Sequence, residues 1–271
     1  MRVATWNVNS VGARLPRVHA WLDEVAPDVL CLQETKCAAD AFPSEGFADR
    51  GYELAVVGDG RWNGVAIASR VGLDDVVTAF AEQPGYSDDA DALLALPVVE
   101  SRAVGATCGG LRIWSVYVPN GRVVGHPHYD YKLGWLAALR GALAPEVAAG
   151  PFVVTGDFNI APTDADVWDP ASFVGSTHVT PAERAELQGL CGLGLRDVVP
   201  RALKHDTPFT YWDYRAGMFH KNKGMRIDLV LANEAVVVRD AFVDREARKG
   251  TGPSDHAPVV VDVELTGHSG Q

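Results

Sequence analysis

The feature that most constrains this chain is its supply of short β patterns, interrupted too unevenly by helical stretches for a strict strand–helix alternation. Alternating or continuous apolar runs predict strands over residues 2–7, 28–33, 52–57, 64–69, 93–100, 103–107, 111–118, 152–155, 226–231, 236–243 and 259–265. Gly-Asp-Gly at 58–60 and Asn63-Gly64 supply turn chemistry between them. A helix is predicted over 14–25, where Val18, Trp21, Leu22 and Val25 recur at three-and-four spacing. A second covers 129–143, with Leu133, Leu136 and Leu139 as apolar positions, so each half of the chain carries a similar set of elements. A third, 181–190, follows Thr180 as N-cap, with Pro181 at its first position and Glu183 as the capping-box acid. Many strands with few helices predict an α+β fold of stacked sheets covered by helices, not a doubly wound sheet. No linker divides the 271 residues, so a single domain is expected, with a polar loop at 83–91 and a frayed tail at about 267–271.

Composition narrows the function classes. With 47% hydrophobic and 22% charged residues the chain reads as an ordinary globular enzyme. No apolar run approaches the ~20 residues a membrane helix needs. The opening Met1-Arg2-Val3-Ala4-Thr5-Trp6-Asn7 turns polar too soon for a signal peptide, so a cytoplasmic location and no membrane partner are expected. Cys31, Cys37, Cys108 and Cys191 form no C-x-x-C pair and read as reduced thiols, not as a zinc site. The net charge of −11 repels polyanions at long range, so any nucleic-acid partner requires a local basic face and metal neutralisation.

Acidic and amide residues gather at strand ends. The first strand ends in Asn7-Val8-Asn9, the second in Glu34, and the strand at 152–155 in Gly156-Asp157-Phe158-Asn159. Each has a structural alternative: a Glu after an apolar strand is often a solvated strand end, and Gly-Asp-x-Asn is often only a turn. Asp228 interrupts Ile-Asp-Leu-Val-Leu, where a buried charge needs a partner. Asp255-His256, between Pro253 and Pro258, offers a natural general base or phosphate contact. As a set, these carboxylates, asparagines and a histidine suit Mg²⁺ or Mn²⁺, the combination that phosphodiester hydrolysis requires. His126-Pro127-His128 reads as a helix start in preference to a metal pair, and Asp164 and Asp166 as caps of a short helix. The basic run Lys221-Asn222-Lys223-Gly224-Met225-Arg226 makes Lys221, Lys223 and Arg226 the expected DNA-backbone contacts. Tyr211, Trp212 and Tyr214 alternate at strand spacing, so some must be core.

Asn7-x-Asn9, Leu32-Gln33-Glu34-Thr35-Lys36, Tyr117-Val118-Pro119-Asn120-Gly121, Gly156-Asp157-Phe158-Asn159, Thr210-Tyr211-Trp212-Asp213-Tyr214-Arg215, Arg226-Ile227-Asp228 and Ser254-Asp255-His256 resemble, in order and spacing, the exonuclease III family of abasic-site endonucleases. The resemblance runs from residue 2 to about 265 and implies membership of the endonuclease/exonuclease/phosphatase superfamily, with its four-layer αββα sandwich of two mixed sheets. It implies that Glu34 ligates the metal with Asn9 and Asp255 near it, and that Asp157, held by Asn159, activates water. It implies that His256, oriented by Asp228, contacts the scissile phosphate, and that Asn7, Tyr117 and Asn120 complete the phosphate pocket. Tyr211, Met225 and Ile227 match the family's pocket for a base-less sugar; Met225 stands where some relatives carry Trp. Asn9 stands where some carry Asp, which leaves the number of metals open. The implied activity is DNA hydrolysis 5′ to abasic sites, with removal of nucleotides or blocking groups from 3′ ends, in a monomer acting on double-stranded DNA. A phosphoinositide phosphatase, a non-specific deoxyribonuclease, a sphingomyelinase or an inactive DNA-binding relative are the alternatives on the same scaffold.

Overall fold

In the computed structural model, residues 1–60, 62–88 and 96–266 are described. The chain runs β1 (Arg2–Asn7), α1 (Val11–Val25), β2 (Val29–Gln33), α2 (Glu45–Ala48), β3 (Glu53–Val57), β4 (Val65–Ser69), β5 (Asp74–Val77), β6 (Ala103–Cys108) and β7 (Leu111–Tyr117). It continues through α3 (Pro127–Ala149), β8 (Phe152–Asp157), α4 (Pro181–Cys191), β9 (Arg196–Asp197), β10 (Arg201–Ala202), β11 (Asp228–Ala232), β12 (Val236–Val243) and β13 (Val259–Leu265). One sheet has the order β10-β12-β13-β1-β2-β4-β3 and the other β5-β6-β7-β8-β11-β9. Both are mixed: β1 is parallel to β2 and antiparallel to β13, while β7 is parallel to β8 and β8 antiparallel to β11.

Strand alternation explains the layers. On β2, Val29 and Cys31 face the other sheet while Leu30 and Leu32 pack under α1 with Trp6, Val18, Trp21 and Leu22. On β8, Val153 faces inward while Phe152 and Val154 pack against Trp135, Leu136 and Leu139 of α3 and Leu187 of α4. Three apolar layers separate four structural ones, giving the α+β, αββα arrangement anticipated from the sequence. No helix among the described residues is long and apolar enough to cross a membrane.

Some boundaries differ from the sequence reading. Helix α1 begins at Val11, three residues before the expected start, because the Ser10 hydroxyl accepts from the Ala13 amide (3.3 Å) and caps the earlier turn. The predicted strand at 93–100 lies partly outside the described residues; over 96–100 only Val98 bridges, to Tyr86. The 83–91 loop is likewise described only to 88, and the 267–271 tail lies outside. Strand β5 carried no signal because all four of its residues are exposed. Thr180 and Glu183 form the capping box that starts α4.

Helix α3 is longer than predicted at both ends, with His126 as N-cap and Pro127 in its first turn. His128 is only 5% exposed, and its Nδ1 accepts the Gly121 amide (3.1 Å), a bond only an unprotonated ring nitrogen can receive. Burial, together with Arg102 and Arg122, pushes its pKa down to about 4. The unfolded chain, with histidine near 6.5, binds a proton that the folded form refuses. Stability contributed by this ring is therefore complete above about pH 6.5 and falls as the pH is lowered towards 4, by up to ~3 kcal/mol. Urea unfolding of His128→Gln between pH 7 and 4.5 should show a shallower acid loss than the parent; an identical slope would place the proton uptake elsewhere.

Candidate active site

The site grows out of the inward-facing positions of the central strands. Along β1 these are Val3, Thr5 and Asn7; along β7, Ile113, Ser115 and Tyr117; along β8, Val153, Thr155 and Asp157. The first of each column is apolar core. The second is neutral and polar: Gln33 Nε2 donates to Thr5 Oγ1 (3.0 Å) and, across the sheets, to Ser115 Oγ (3.0 Å). The third carries the chemistry. Register then assembles it, because Tyr117 and Asp228 are both paired with Asp157 on its two sides.

Asn7 Nδ2 donates to Glu34 Oε1 (2.8 Å) and Asp157 Oδ2 (2.9 Å), tying one sheet to the other. Asp157 Oδ1 accepts the Asn159 amide (2.9 Å). His256 Nδ1 donates to Asp228 Oδ2 (2.8 Å), and its Nε2 lies 3.8 Å from Asp157 Oδ2. Asp228 is fully buried, and its backbone amide donates to Thr210 Oγ1 (3.1 Å). Asn9 Nδ2 donates to Asp255 Oδ1 (3.0 Å). Asn120, exposed at the mouth, donates to Asn159 Oδ1 (3.2 Å). The three left-handed residues Asn9, Glu34 and Asn159, with φ of 47°, 51° and 51°, turn the chain where it leaves β1, β2 and β8.

Charge is balanced tightly. For His256, burial opposes protonation, but the Asp228 charge and hydrogen bond, with Asp157 and Asp255, outweigh it and raise the ring's pKa. Burial lifts the Asp157 carboxyl well above the usual range, and like charges on Asp228 and Glu34 add to this against the pull of His256. Burial works against the Glu34 carboxylate too, yet Lys36 and the bonds from Asn7 and Lys36 hold it below its ordinary value. Tyr117 stays a neutral phenol, because burial and the neighbouring Glu34 charge raise it far above the usual range.

Ligand atoms of Glu34, Asp157 and His256 lie within 4.8 Å of one another. The Lys36 ammonium stands 2.7 Å from Glu34 Oε2 and 2.6 Å from Asn9 Oδ1, so these oxygens already receive a hard cation. A set rich in carboxylate and amide oxygen fits a hard divalent metal, which would have to take the place of the Lys36 ammonium on Glu34 and Asn9.

Not every expected residue lies where the sequence suggested. Arg226 is not on a DNA-facing surface: it is 2% exposed, and its guanidinium is bound to Asp166 (2.6 Å) and Asp197 (2.8 Å). It braces the segment before Asp228, and Asp166, expected as a cap, both caps Thr163 and holds this arginine. Lys221 is exposed and donates to the Ala216 carbonyl (2.9 Å), while the Lys223 ammonium sits 3.9 Å from the centroid of Trp168. Tyr211, Met225 and Ile227 do come together, with Ala161 and Val167, and the Tyr211 ring lies 4.9 Å from that of His256. Met225 and Ile227 are buried, however.

Sequence reasoning missed two contributors. Lys36 stood inside a quoted motif but was given no role. His178, in a Ser-Thr-His-Val stretch without pattern, places Nε2 3.0 Å from Asn159 Oδ1 and 3.2 Å from Asn120 Nδ2. Burial and Lys132 hold its ring neutral, with a pKa pushed down to about 3.

The chain matches the Endonuclease/Exonuclease/phosphatase family over residues 4–256. It belongs to that family. Among solved structures it is similar to the Neisseria enzyme NExo, described as a 3′-5′ exonuclease and, bound to a product DNA hairpin, as a 3′ phosphatase. The two NExo structures share 37% and 36% identity with this chain, cover 98% of it and 100% of NExo, and give TM-scores of 0.87 and 0.88. An AP endonuclease from Archaeoglobus fulgidus is 33% identical over 98% of this chain and 100% of its own, with a TM-score of 0.86. Exodeoxyribonuclease III of Haemophilus influenzae is 29% identical over 96% of this chain and 98% of its own.

Gly156 makes a sharp test of how Asp157 is placed. Its φ is +145°, and a Cβ there would stand 1.9 Å from the Val116 carbonyl oxygen on the neighbouring strand. Gly156→Ala should cost ~3 kcal/mol or more, because backbone, not a side chain, must move. Chemical denaturation measures it; a loss under ~1 kcal/mol would mean that β7 and β8 separate freely at this point.

Proposed function

We propose that this chain is a divalent-metal-dependent DNA phosphodiesterase that hydrolyses DNA on the 5′ side of abasic sites, using Mg²⁺ or Mn²⁺. The reading rests on one arrangement: an imidazole held by the buried Asp228 at 2.8 Å, facing a second buried carboxylate, Asp157, at 3.8 Å. When bound, the metal would neutralise charge developing on the phosphate. Asp157, with a raised proton affinity, holds and accepts the proton of an attacking water; Asn7 and Asn159 fix its two oxygens. The His256 ring, kept protonated by Asp228, donates from Nε2 to a phosphate oxygen. Tyr117 presents a neutral phenol to the leaving oxygen, and Asn120 a side-chain amide at the mouth. Glu34 would hold the metal, with Asn9 and Asp255 beside it. We read residues 1–271 as one catalytic domain, monomeric and cytoplasmic; its four free thiols suit a reducing compartment.

A second reading, trimming of 3′ ends and removal of 3′ phosphates, is favoured by the burial of Met225 and Ile227, the residues expected to line a sugar pocket. The Neisseria relatives' described activities point the same way. Duplexes carrying an internal abasic site, a 3′ phosphate or an undamaged end, each with Mg²⁺ or EDTA, decide between the two. Incision at the abasic site supports the first reading, and 3′ processing without incision the second. Activity only on a phosphoinositide would overturn both.

Asp157→Asn and His256→Asn should each lower turnover roughly 10²-fold or more with little change in DNA affinity, because both groups act in the transition state. Near-normal turnover in either variant would remove it from the mechanism. Glu34→Gln should need much higher Mg²⁺ for half-maximal activity than the parent. An unchanged Mg²⁺ titration would place the metal elsewhere.

A further inference from the structure

Four arginines bond only to uncharged oxygens. Arg14 donates to the Tyr214 hydroxyl (2.9 Å) and the Pro253 carbonyl (3.4 Å). Arg17 donates to the carbonyls of Ala247 (2.9 Å), Lys249 and Thr251 (3.0 Å). Arg245 donates to the Phe219 carbonyl (2.8 Å), and Arg248 to that of Trp212 (3.2 Å). In all four the Nε is covered and has no partner. Arg2, Arg50, Arg112 and Arg226, by contrast, each hold a carboxylate. In a protein of net charge −11, a cluster of arginines in which none contacts an acid is not an accident of composition.

Arg248 lines a groove of about 450 Å³ with Tyr214, Phe219, His220, Lys249 and Pro253, and the other three each bond to or lie against one of these lining residues. Arg248 is only 6% exposed, with its guanidinium carbon 4.9 Å from the Tyr214 centroid and 5.0 Å from that of Phe219; Arg245 lies 3.9 Å from Phe219. Burial pushes both guanidinium groups below their ordinary range, with repulsion from Arg248 adding to it at Arg245 and from Arg14 at Arg248, whereas Arg226 beside its two aspartates is raised. The rings, and the charges of Asp255 and Glu246 that bond to neither arginine, offset part of this cost, but a buried cation with no carboxylate bonded to it remains destabilising until an anion meets it. The acids nearby are already engaged: Asp213 holds Arg215, and Glu246 holds Lys249. The groove also adjoins the catalytic loop, since Pro253 precedes Ser254-Asp255-His256 and the Trp212 amide donates to the Asp255 carbonyl (2.9 Å).

We propose that this groove is a second DNA subsite, which takes an unpaired nucleotide of a strand extending past the catalytic site, its phosphate towards Arg248 and Lys249 and its base against Tyr214. The proposal rests on the DNA phosphodiesterase reading. An exposed aromatic face beside an excess of positive charge is the combination that holds single strands, and Tyr214 is 48% exposed.

Fluorescence anisotropy in EDTA, which prevents cleavage, tests it with a labelled blunt duplex and the same duplex carrying about six unpaired thymidines at its 5′ or 3′ end. One extension should tighten binding about tenfold. Tyr214→Leu combined with Lys249→Gln should abolish that gain and flatten its salt dependence by about one slope unit. Arg248→Met should act alike, and melting temperatures report whether it folds; the surface pair decides if it does not. The subsite is overturned if neither extension tightens binding, or if the surface variant keeps the full gain. Parent protein that binds no duplex at all would instead overturn the DNA reading itself.

Discussion

Everything at the active site depends on strand register between two facing sheets. The side-chain period of a strand is two, so a slip of one residue would turn Asn7, Tyr117 and Asp157 out of the interface together. What prevents the slip is the apolar start of each column, Val3, Ile113 and Val153, locked into the layer between the sheets. The middle of the column is a hydrogen-bonded step, Thr5–Gln33–Ser115, which joins the sheets where water has not yet entered. The gradient from apolar to neutral polar to acidic lets the sheets remain packed at one end and carry charge at the other. Buried polar groups cost little while each is paired.

That gradient ends in a concentration of negative charge that the fold alone does not relieve. Glu34, Asp157 and Asp228 lie close together, and Asp228 is wholly enclosed. Two cations oppose them from within the chain: the His256 ring and the Lys36 ammonium. They act on different oxygens, His256 on Asp228 and Asp157, Lys36 on Glu34 and Asn9. Burial and the neighbouring carboxylates leave Asp157 with an elevated proton affinity in spite of His256, while Glu34, buried too, is held at a depressed one by Lys36, Asn7 and His256. A proton acceptor and a metal ligand thus differ in environment, not in residue type.

The strands and their layers were legible because alternation is a direct imprint of burial: Val29, Leu30, Cys31 and Leu32 divide between two cores as their positions require. The motif residues were legible because strand ends are where loops gather chemistry. What escaped was set by tertiary context. Strand β5 is exposed along its length and shows no pattern. Arg226 sits in a basic run that reads as a surface, yet Asp166 and Asp197, distant in sequence, draw it inside. His178 reaches the site only because the loop before α4 folds back, with Glu183 accepting its amide (2.9 Å). Met225 and Ile227 were rightly grouped, but whether they line a space or fill it is a matter of volume, which no spacing rule reports.

The turns that end the strands add a constraint of a different kind. Asn9, Glu34, Lys36 and Asn159 all adopt left-handed backbone, which costs of order 1 kcal/mol or more each for residues other than glycine. Such a cost persists only where the surroundings enforce it. Here they do: the Val8 amide donates to the Gln33 carbonyl (3.0 Å), Ser10 to Glu34 (2.7 Å), Val11 to Thr35 (3.0 Å), and Lys36 to Asn63 (2.9 Å). The exits of β1 and β2 are thus stitched into one unit before any side chain is considered. This also accounts for the early start of α1, since the amide of its first residue, Val11, finds its acceptor in the β2 exit loop and not in its own helix. Glu34 and Asn9 are held by backbone on both sides, so their separation is fixed by the fold and does not depend on what binds between them.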